Sequence, residues 1–439
     1  MLKIFLWLRY LGKRRVVLLS VAAVAISCAL LITVASIFTG FIDAFEQSAV
    51  NALGDVIVSP GGDIKDYQEL DRELEELNDV EAAVGMLSTQ GLLHLASGNV
   101  RAVEIWGIEV EKEGKVTTFD KSLLKGKAAE PKVESNIIEG YIGIGVLAEP
   151  NEQTDEYDFN AVEKMIGRQA VLTTGSAIKE ENGEKQFKRR TIQFKIADAV
   201  FTGIYYLDSR LVYLPIERLS KAIYPELDQP VARQIHIKLR KGADATAAIA
   251  QIRKVWETFA SEKLGWGQMQ IQWAKIETAR QMQARYVAEF RKQMGVLLLI
   301  FGVVSLSAVL LVFCIFYMLA EHRRQDVAIL KSCGAASGTV AIVFMGFGGF
   351  VGVIGAGLGT ALGYYITRHI NAVDEWIRII FGLKLWKASV YMFSTIPNEV
   401  DWQAVEWITI AAIIGAMLGA TIPAISAAMT RPVNVLRYE

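Results

Sequence analysis

The sequence predicts an α-helical membrane protein with four transmembrane helices and a large α+β extracytoplasmic domain inserted between helices 1 and 2. Three observations carry this expectation. Four apolar runs, 16–38, 295–320, 340–366 and 407–429, contain no Asp, Glu, Lys or Arg, and each can cross a hydrocarbon core of about 30 Å at a rise of about 1.5 Å per residue. Roughly 230 residues of mixed strand and helix pattern separate the first run from the second, the size of one large or two small domains. Five basic residues precede the first run, three lie between the second and third, and two lie in the tail. That distribution places both termini and the 321–337 connector in the cytoplasm and the large domain outside it. The four basic residues of 368–387 weigh against this without reversing it.

Composition narrows the class. The chain has 439 residues, 52% of them hydrophobic, and a formal net charge of −1, a balance that argues against neutralising nucleic-acid phosphates. Cys28 and Cys314 lie in apolar runs and Cys333 in the connector, so the large domain has no disulfide framework. His94, His236, His322 and His369 are scattered without ligand spacing, and no metal is expected.

The elements follow in order. Residues 1–15 interleave Leu2, Phe5, Leu6, Trp7 and Leu8 with Lys3, Arg9, Lys13, Arg14 and Arg15, the pattern of an interfacial helix and a cytoplasmic positive cluster. The first run is longer than the apolar region of a signal peptide and lacks a clear small-x-small cleavage site, so it reads as a retained anchor. Helical spacing continues through Ile37, Phe41, Phe45 and Ser48, and it reappears before the second run at Ile276, Ala279, Met282, Tyr286, Phe290, Met294 and Leu297. Two amphipathic extensions are therefore expected to pair as a stalk. The same residues also fit ordinary juxtamembrane helices with no transmitting role.

The large domain begins as strand (55–59), turn at Pro60-Gly61-Gly62, acidic helix (66–77) and strands near 83–95 and 100–108. It ends as strand (Ile235, Ile237, Leu239), helix (243–259) and strand (Met269, Ile271, Trp273). The two ends, 54–108 and 231–274, are expected to form one membrane-proximal subdomain, with 109–230 inserted as a distal lobe. Strands at 169–174 and 194–205 flank the polar segment Ser176–Arg190, which has Asn182-Gly183 at its centre, so a long protruding hairpin is expected. Its charged tip is a solvated loop or a partner-binding site.

Two stretches of the membrane part have character of their own. The run at 340–366 carries Gly348, Gly352, Gly355, Gly359 and Gly363 in repeated GxxxG spacing. Small residues one turn apart let backbones approach, so this span should pack against protein. The connector 321–337 opens with Glu321, Arg323, Arg324 and Asp326, passes through Val327, Ala328, Ile329 and Leu330, and closes on Lys331 and Gly334. It reads as a short polar helix at the membrane face, able to dock a soluble partner, or as a basic connector that only sets topology. An external loop is expected over 367–406, and 430–439 forms a cytoplasmic tail.

No phosphate-binding G-x-x-x-x-G-K-[ST] occurs, nor H-E-x-x-H, G-x-S-x-G or paired C-x-x-C. Acidic residues such as Glu73, Glu75 and Glu76 read as a solvated helix face. The spans lack the central ionisable group of an ion-coupled carrier. Energy is thus expected from elsewhere, and a polar cytoplasmic helix between two spans is where an ATPase subunit would push.

At these residues the chain resembles the permease subunits of the lipoprotein-releasing ABC transporter, within a wider group of macrolide-exporter-like and cell-division-like permeases. Asp326-Val327-Ala328-Ile329-Leu330 with Gly334 is similar to the family's coupling helix. Pro423-Ala424, Ala427-Ala428, Pro432 and Leu436-Arg437-Tyr438-Glu439 resemble its terminal pattern, and Phe393–Val400 its segment before the last span. The resemblance implies a bacterial inner-membrane permease, pairing with itself or a paralogue and served by separate ATPase subunits that bind the ATP and Mg. No cofactor is expected in this chain and no catalytic site. Glu321, Arg324, Asp326, Val327, Ile329, Leu330 and Gly334 would couple to the ATPase. The hairpin, with Ser176, Lys179, Asn182, Gly183, Phe187 and Arg190, occupies the place that in this family engages a periplasmic carrier. It departs from the family in having no proline between Pro150 and Pro215. The cargo implied is lipidated. Efflux of a drug or peptide with an outer-membrane partner, and signalling to a cell-wall hydrolase, are the other functions that this layout serves.

Overall fold

A computed structural model describes residues 15–95, 98–126, 138–151, 154–179 and 185–430. The expected interfacial helix and positive cluster of 1–15, apart from Arg15, and the terminal motif from Pro432 to Glu439 lie outside the described residues. The chain divides into two compact units.

The first unit comprises 1–43, 288–373 and 396–439. Among the described residues, four helices are long and apolar enough to cross a membrane. In sequence order these are α1 (Arg15–Leu53), then α10 (Ala279–His322), α12 (Ser337–Arg368) and α15 (Trp402–Ala428), with α11 (Arg324–Ser332) between α10 and α12; the intervening labels belong to the second unit. The glycines of α12 govern its packing. A Cβ on Gly352 would lie 2.9 Å from the Cβ of Ala416 and 3.1 Å from the Cα of Ile413 on α15. One turn on, the stripe meets another helix: a Cβ on Gly355 would lie 2.8 Å from the Cβ of Val24, and one on Gly359 2.6 Å from the carbonyl oxygen of Ala25. Gly363 meets Ile32 at 3.0 Å, and Gly348 abuts Ala420 of α15. Hydrogen removes the side-chain barrier, so α12 lies backbone to backbone against α1 on one side and α15 on the other.

The start of α15 is tied down at three points. Asp401 caps it by accepting from Ala404 N–H at 3.0 Å, and also accepts from the Thr39 hydroxyl at 3.0 Å. Its own N–H donates to Ser36 Oγ at 3.3 Å. Just before it, Pro397 sits 3.0 Å from where a Cβ on Gly40 would stand.

The second unit comprises 44–287 and 374–395. Its elements are β1 (Val56–Ser59), α2 (Tyr67–Glu75), β2 (Val80–His94), β3 (Val100–Ile108), α3 (Val110–Val116), β4 (Ile138–Gly143), α4 (Ile144–Leu147), α5 (Phe159–Met165), β5 (Gln169–Lys179), β6 (Lys185–Val200), α6 (Tyr205–Asp208), β7 (Leu211–Pro215), α7 (Ile216–Ile223), β8 (Gln234–Leu239), α8 (Ala245–Glu262), α9 (Gln268–Gln272) and β9 (Lys275–Thr278). From the later segment come α14 (Ala388–Tyr391) and most of α13 (Ile370–Phe381).

The strand order is β3-β7-β4-β6-β5-β2-β8-β1-β9, with β3 also paired to β2. The fifteen-residue β2 belongs to two systems. Its first half, from Val80 to Met86, pairs with β8 in a sheet completed by β1 and β9. Its second half, from Leu87 to His94, pairs with β3 and β5, and the ladder runs on through β6, β4 and β7 back to β3, closing a six-stranded ring with no free edge. Tyr67, Leu70 and Leu74 of α2 and Ile252, Trp256 and Phe259 of α8 are buried with the first system. Gly85 is required there, because the Tyr67 ring fills the space of a Cβ.

Three expectations need correction. The alternation Met269, Ile271, Trp273 forms the helical turn α9, in which only Ile271 is buried, and the strand follows at 275–278 with Ile276 in it. The helical extension of the second span therefore starts at Ala279. A division after residue 108 does not match the pairing, since β3 hydrogen-bonds within the closed ring. The 367–406 segment holds two helices, α13 and α14. The extensions of α1 and α10 pair edge to face, Phe41 with Phe290 at 5.1 Å in the first unit and Phe45 with Tyr286 at 6.4 Å in the second.

Two outcomes follow from this packing. Gly359→Val should force the Ala25 backbone away and lower stability by about 1–3 kcal/mol, whereas Gly357→Val, which faces open space, should leave the melting temperature of the purified chain unchanged; equal effects would remove the glycine contact as the cause. The second concerns Asp71, which is buried and accepts from Gly85 N–H at 3.1 Å. Burial pushes its carboxyl from 3.8 to about 7, against the nearby Lys112 that favours the charged form. A carboxyl whose pKa rises on folding holds its proton more tightly in the native state, so its contribution is full below about pH 4 and is lost as pH rises to about 7. Asp71→Asn should flatten the fall in denaturant midpoint across that window, and an unchanged slope would show that Asp71 does not cause it.

Candidate functional site at the connector helix

The connector is built by interrupting one helix and starting another. After His322, Arg323 leaves helical geometry with φ −111° and ψ 16°, and α11 begins at the next residue. Two ion pairs span the break, Glu321 with Arg324 at 2.6 Å and Arg323 with Asp326 at 2.5 Å. All four groups are partly exposed, so each pair is worth about 0–1 kcal/mol and sets local geometry more than stability. The far end stops on Gly334, whose φ of +96° is the left-handed conformation glycine tolerates. There Cys333 N–H donates to Ile329 O, Gly334 N–H to Lys331 O and Ala335 N–H to Leu330 O, all near 3.0 Å.

Opposite faces of α11 have different fates. Val327 is 3% exposed and Ala328 is fully buried; Val327 packs with Ala320, Val340, Ala427 and Ala428. Ile329 and Leu330 are 53% and 56% exposed. Val327 therefore corrects the sequence reading: it anchors the helix to the bundle, and the outward apolar surface is the Ile329-Leu330 pair. A residue that the candidate set omitted completes the anchor. The Lys331 ammonium donates to the carbonyl oxygens of Ala428 at 2.7 Å and Thr430 at 2.9 Å. The first carbonyl ends α15 and the second follows just beyond it, at a helix terminus that leaves acceptors unsatisfied and carries partial negative charge. A lysine in the last turn before a glycine stop was the available signal, but its partner lies 97 residues away.

The other candidates lie apart from this site. The glycine stripe belongs to the same unit, in α12. The hairpin belongs to the other unit, where β5 and β6 pair in unbroken antiparallel register from Gln169↔Lys195 to Lys179↔Lys185, with Ser176 opposite Lys188, Phe187 opposite Ala177 and Arg190 opposite Thr174. Asn182 and Gly183 lie outside the described residues, as do the side chains of Ser176, Lys179 and Phe187. Among the described residues no group of three or more His, Cys, Asp or Glu side chains is placed to hold a metal.

The second unit also binds the segment that links α12 to α15. Phe393 forms an antiparallel bridge with Ile204, Tyr205 N–H donates to Met392 O at 2.8 Å and Ser394 N–H to Gly203 O at 3.2 Å. Ala388 N–H donates to Asp155 Oδ2 at 2.6 Å, and the Lys384 ammonium to Thr154 O at 2.8 Å. The stacked Trp386 and Tyr391 rings stiffen the segment, with Trp386 Nε1–H donating to Phe393 O. Asp208 holds the receiving loop by accepting from Thr202 N–H and hydroxyl, both at 2.7 Å, and from Gly203 N–H at 3.0 Å. Burial raises its carboxyl to about 6 against those hydrogen bonds, which favour the charged form.

With this geometry in view, comparison with known proteins is informative. The lipoprotein-releasing system transmembrane protein LolC of Neisseria meningitidis serogroup B is 26% identical over 453 residues, covering 100% of this chain and 99% of that protein. The transmembrane protein LolE of the same system in Haemophilus influenzae is 21% identical over 431 residues, covering 95% and 93%. Among solved structures, the periplasmic region of MacB from Actinobacillus actinomycetemcomitans shares 12% identity and a TM-score of 0.34, covering 54% of this chain and 95% of that one. Residues 298–432, which include the connector helix, the glycine stripe and the last span, match the FtsX-like permease C-terminal family, and the chain is a multi-pass membrane protein similar along its length to lipoprotein-releasing permeases.

Proposed function

We propose that this chain is the permease subunit of an ABC transporter of the inner membrane, releasing lipidated proteins from the outer leaflet with energy from a separate ATPase. The full-length similarity to lipoprotein-releasing permeases carries the reading. The connector helix supplies the point of contact: its inner face and Lys331 bind it to the bundle, and Ile329 and Leu330 stand outward for a groove on the ATPase. In this reading the connector and both termini face the cytoplasm, the strand-rich domain between the first two spans is periplasmic, and a paralogous permease or a second copy completes the transporter. The β5–β6 hairpin is the surface offered to a periplasmic carrier. ATP and Mg belong to the partner, since this chain has no phosphate-binding loop.

Reconstitution with the ATPase subunits and permease partner native to this chain tests the cargo. ATP should release a triacylated lipoprotein from proteoliposomes to a soluble acceptor; a complex that hydrolyses ATP and leaves the lipoprotein in the bilayer would overturn the assignment. The contact is tested separately by co-purification. Burying one aliphatic side chain is worth about 1.5–3 kcal/mol, so Leu330→Asp should weaken ATPase binding by at least that much, while Arg323→Ala should cost about 0–1 kcal/mol. Retention by Leu330→Asp with loss by Arg323→Ala would make the contact electrostatic.

A further inference from the structure

The helix α13 is amphipathic in the inverse sense of one packed on a water-soluble domain. At about 100° per residue, Asn371, Asp374, Glu375 and Arg378 fall in one sector of about 100°, and every other side chain of the helix is apolar. The polar sector is occupied within the chain. Asn371 Nδ2–H donates to Ile396 O at 2.9 Å, and its Oδ1 accepts from Ile396 N–H at 2.8 Å. Asp374 Oδ1 accepts from the N–H groups of Leu385 and Trp386 at 3.2 and 3.3 Å, and Arg378 pairs with Glu375. The apolar sector is left outside. No side chain of α13 is buried, and Trp376, Ile379 and Phe381 are 67%, 70% and 69% exposed. Leu383 and Leu385, just beyond the helix, are exposed as well.

What covers this surface follows from its place in the chain and from its width. The helix starts at Ile370, two residues after Arg368 ends the membrane-spanning α12, and His369 between them has left helical geometry with φ −109° and ψ 19°. Near that end of α12, Tyr364 and Tyr365 are exposed, and the Tyr364 ring lies 5.9 Å from that of Trp402, the first residue of α15. Exposed tyrosines and tryptophans gather where hydrocarbon meets headgroups, so α13 sets out from the level of the bilayer surface. A partner helix or domain covers a stripe of about 100°. A second permease would therefore leave much of the apolar girth in water, whereas the headgroup boundary closes around a helix of this kind. Lipidated cargo comes and goes, and a surface that is apolar at all times needs a standing cover.

We propose that α13 is a membrane-surface helix, lying along the headgroup boundary of the leaflet at which α12 ends, with Trp376, Ile379, Ile380 and Phe381 sunk among phospholipid acyl chains. The bilayer then fixes the depth of the 374–395 segment, which the second unit holds at 203–205. This rests on α12 crossing the membrane and not on the cargo or the ATPase, so either reading can fail without the other.

The test places p-benzoylphenylalanine at Trp376, Phe381 or Glu375 of the full-length chain. Each protein is assembled in nanodiscs of phosphatidylethanolamine and phosphatidylglycerol with its native permease partner, ATPase and a triacylated lipoprotein, then photolysed and analysed by mass spectrometry. Phospholipid adducts at 376 and 381 should exceed those at 375 by about tenfold, because opposite sectors of one helix meet lipid and water. Trp376→Asp combined with Ile380→Asp should lower the adduct at 381 by a similar factor. Equal phospholipid labelling of the three positions, no lipid adduct at 376 and 381, or adducts there chiefly to a polypeptide or to the lipoprotein acyl chains would each overturn the proposal. Should a substituted chain fail to fold, hydroxyl-radical footprinting of the wild-type chain in the same lipids decides: Trp376 should be oxidised far less than Trp273 of α9, which is similarly exposed, and equal oxidation would overturn the proposal.

Discussion

The first unit depends on one constraint, the approach of α12 to its neighbours at backbone distance. In hydrocarbon, apolar side chains gain nothing by leaving the solvent, so helices stay together through dispersion contacts and whatever hydrogen bonds they can share. Gly355, Gly359 and Gly363 bring α12 onto α1, and Gly348 and Gly352 bring it onto α15. Two polar links add to this, Thr360 with Thr409 at 2.9 Å and Asn371 with the backbone of Ile396 at 2.8 and 2.9 Å. One helix without bulk at its centre thus holds two others, and α10 remains the span whose apolar stretch is least buried.

The second unit solves a different problem. A domain rich in strands has to dispose of its edges, and closing the ladder through β3 and β7 does so for the six-stranded ring. The cost is that β2 serves both systems, which leaves no separate hinge along it. The segment 374–395 joins this unit through backbone pairing at 203–205, and Asp208 keeps that loop in the shape that pairs. Side chains add to that pairing, with Asp155 accepting from Ala388 N–H and Lys384 donating to Thr154 O.

How much of this was legible in the sequence follows from the range of the forces involved. The four apolar helices declare themselves because hydrocarbon demands long uncharged runs. GxxxG spacing singled out the stripe on α12, but nothing local tells that consecutive turns meet different helices. The ends of the connector helix are local too, a charged opening and a glycine stop, whereas Val327 facing inward depends on Ala427 and Ala428, a hundred residues downstream. Ring closure was hidden for the same reason, since β3–β7 and β4–β6 are parallel pairs of distant segments. At 269–273 strand alternation misled: Met269 and Trp273 stand one helical turn apart and exposed, and a single buried residue, Ile271, does not distinguish the two periods.

The Lys331 ammonium has a consequence for how the connector is held. Its two bonds fasten α11 to carbonyls at and just beyond the end of α15, Val327 packs against Val340 of α12, Ala427 and Ala428 of α15 and Ala320 of α10, and two ion pairs cross the non-helical Arg323. The connector is thus a clasp across the ends of three spans, and none of the three slides past the others there without giving up a hydrogen bond, an ion pair or a packed contact.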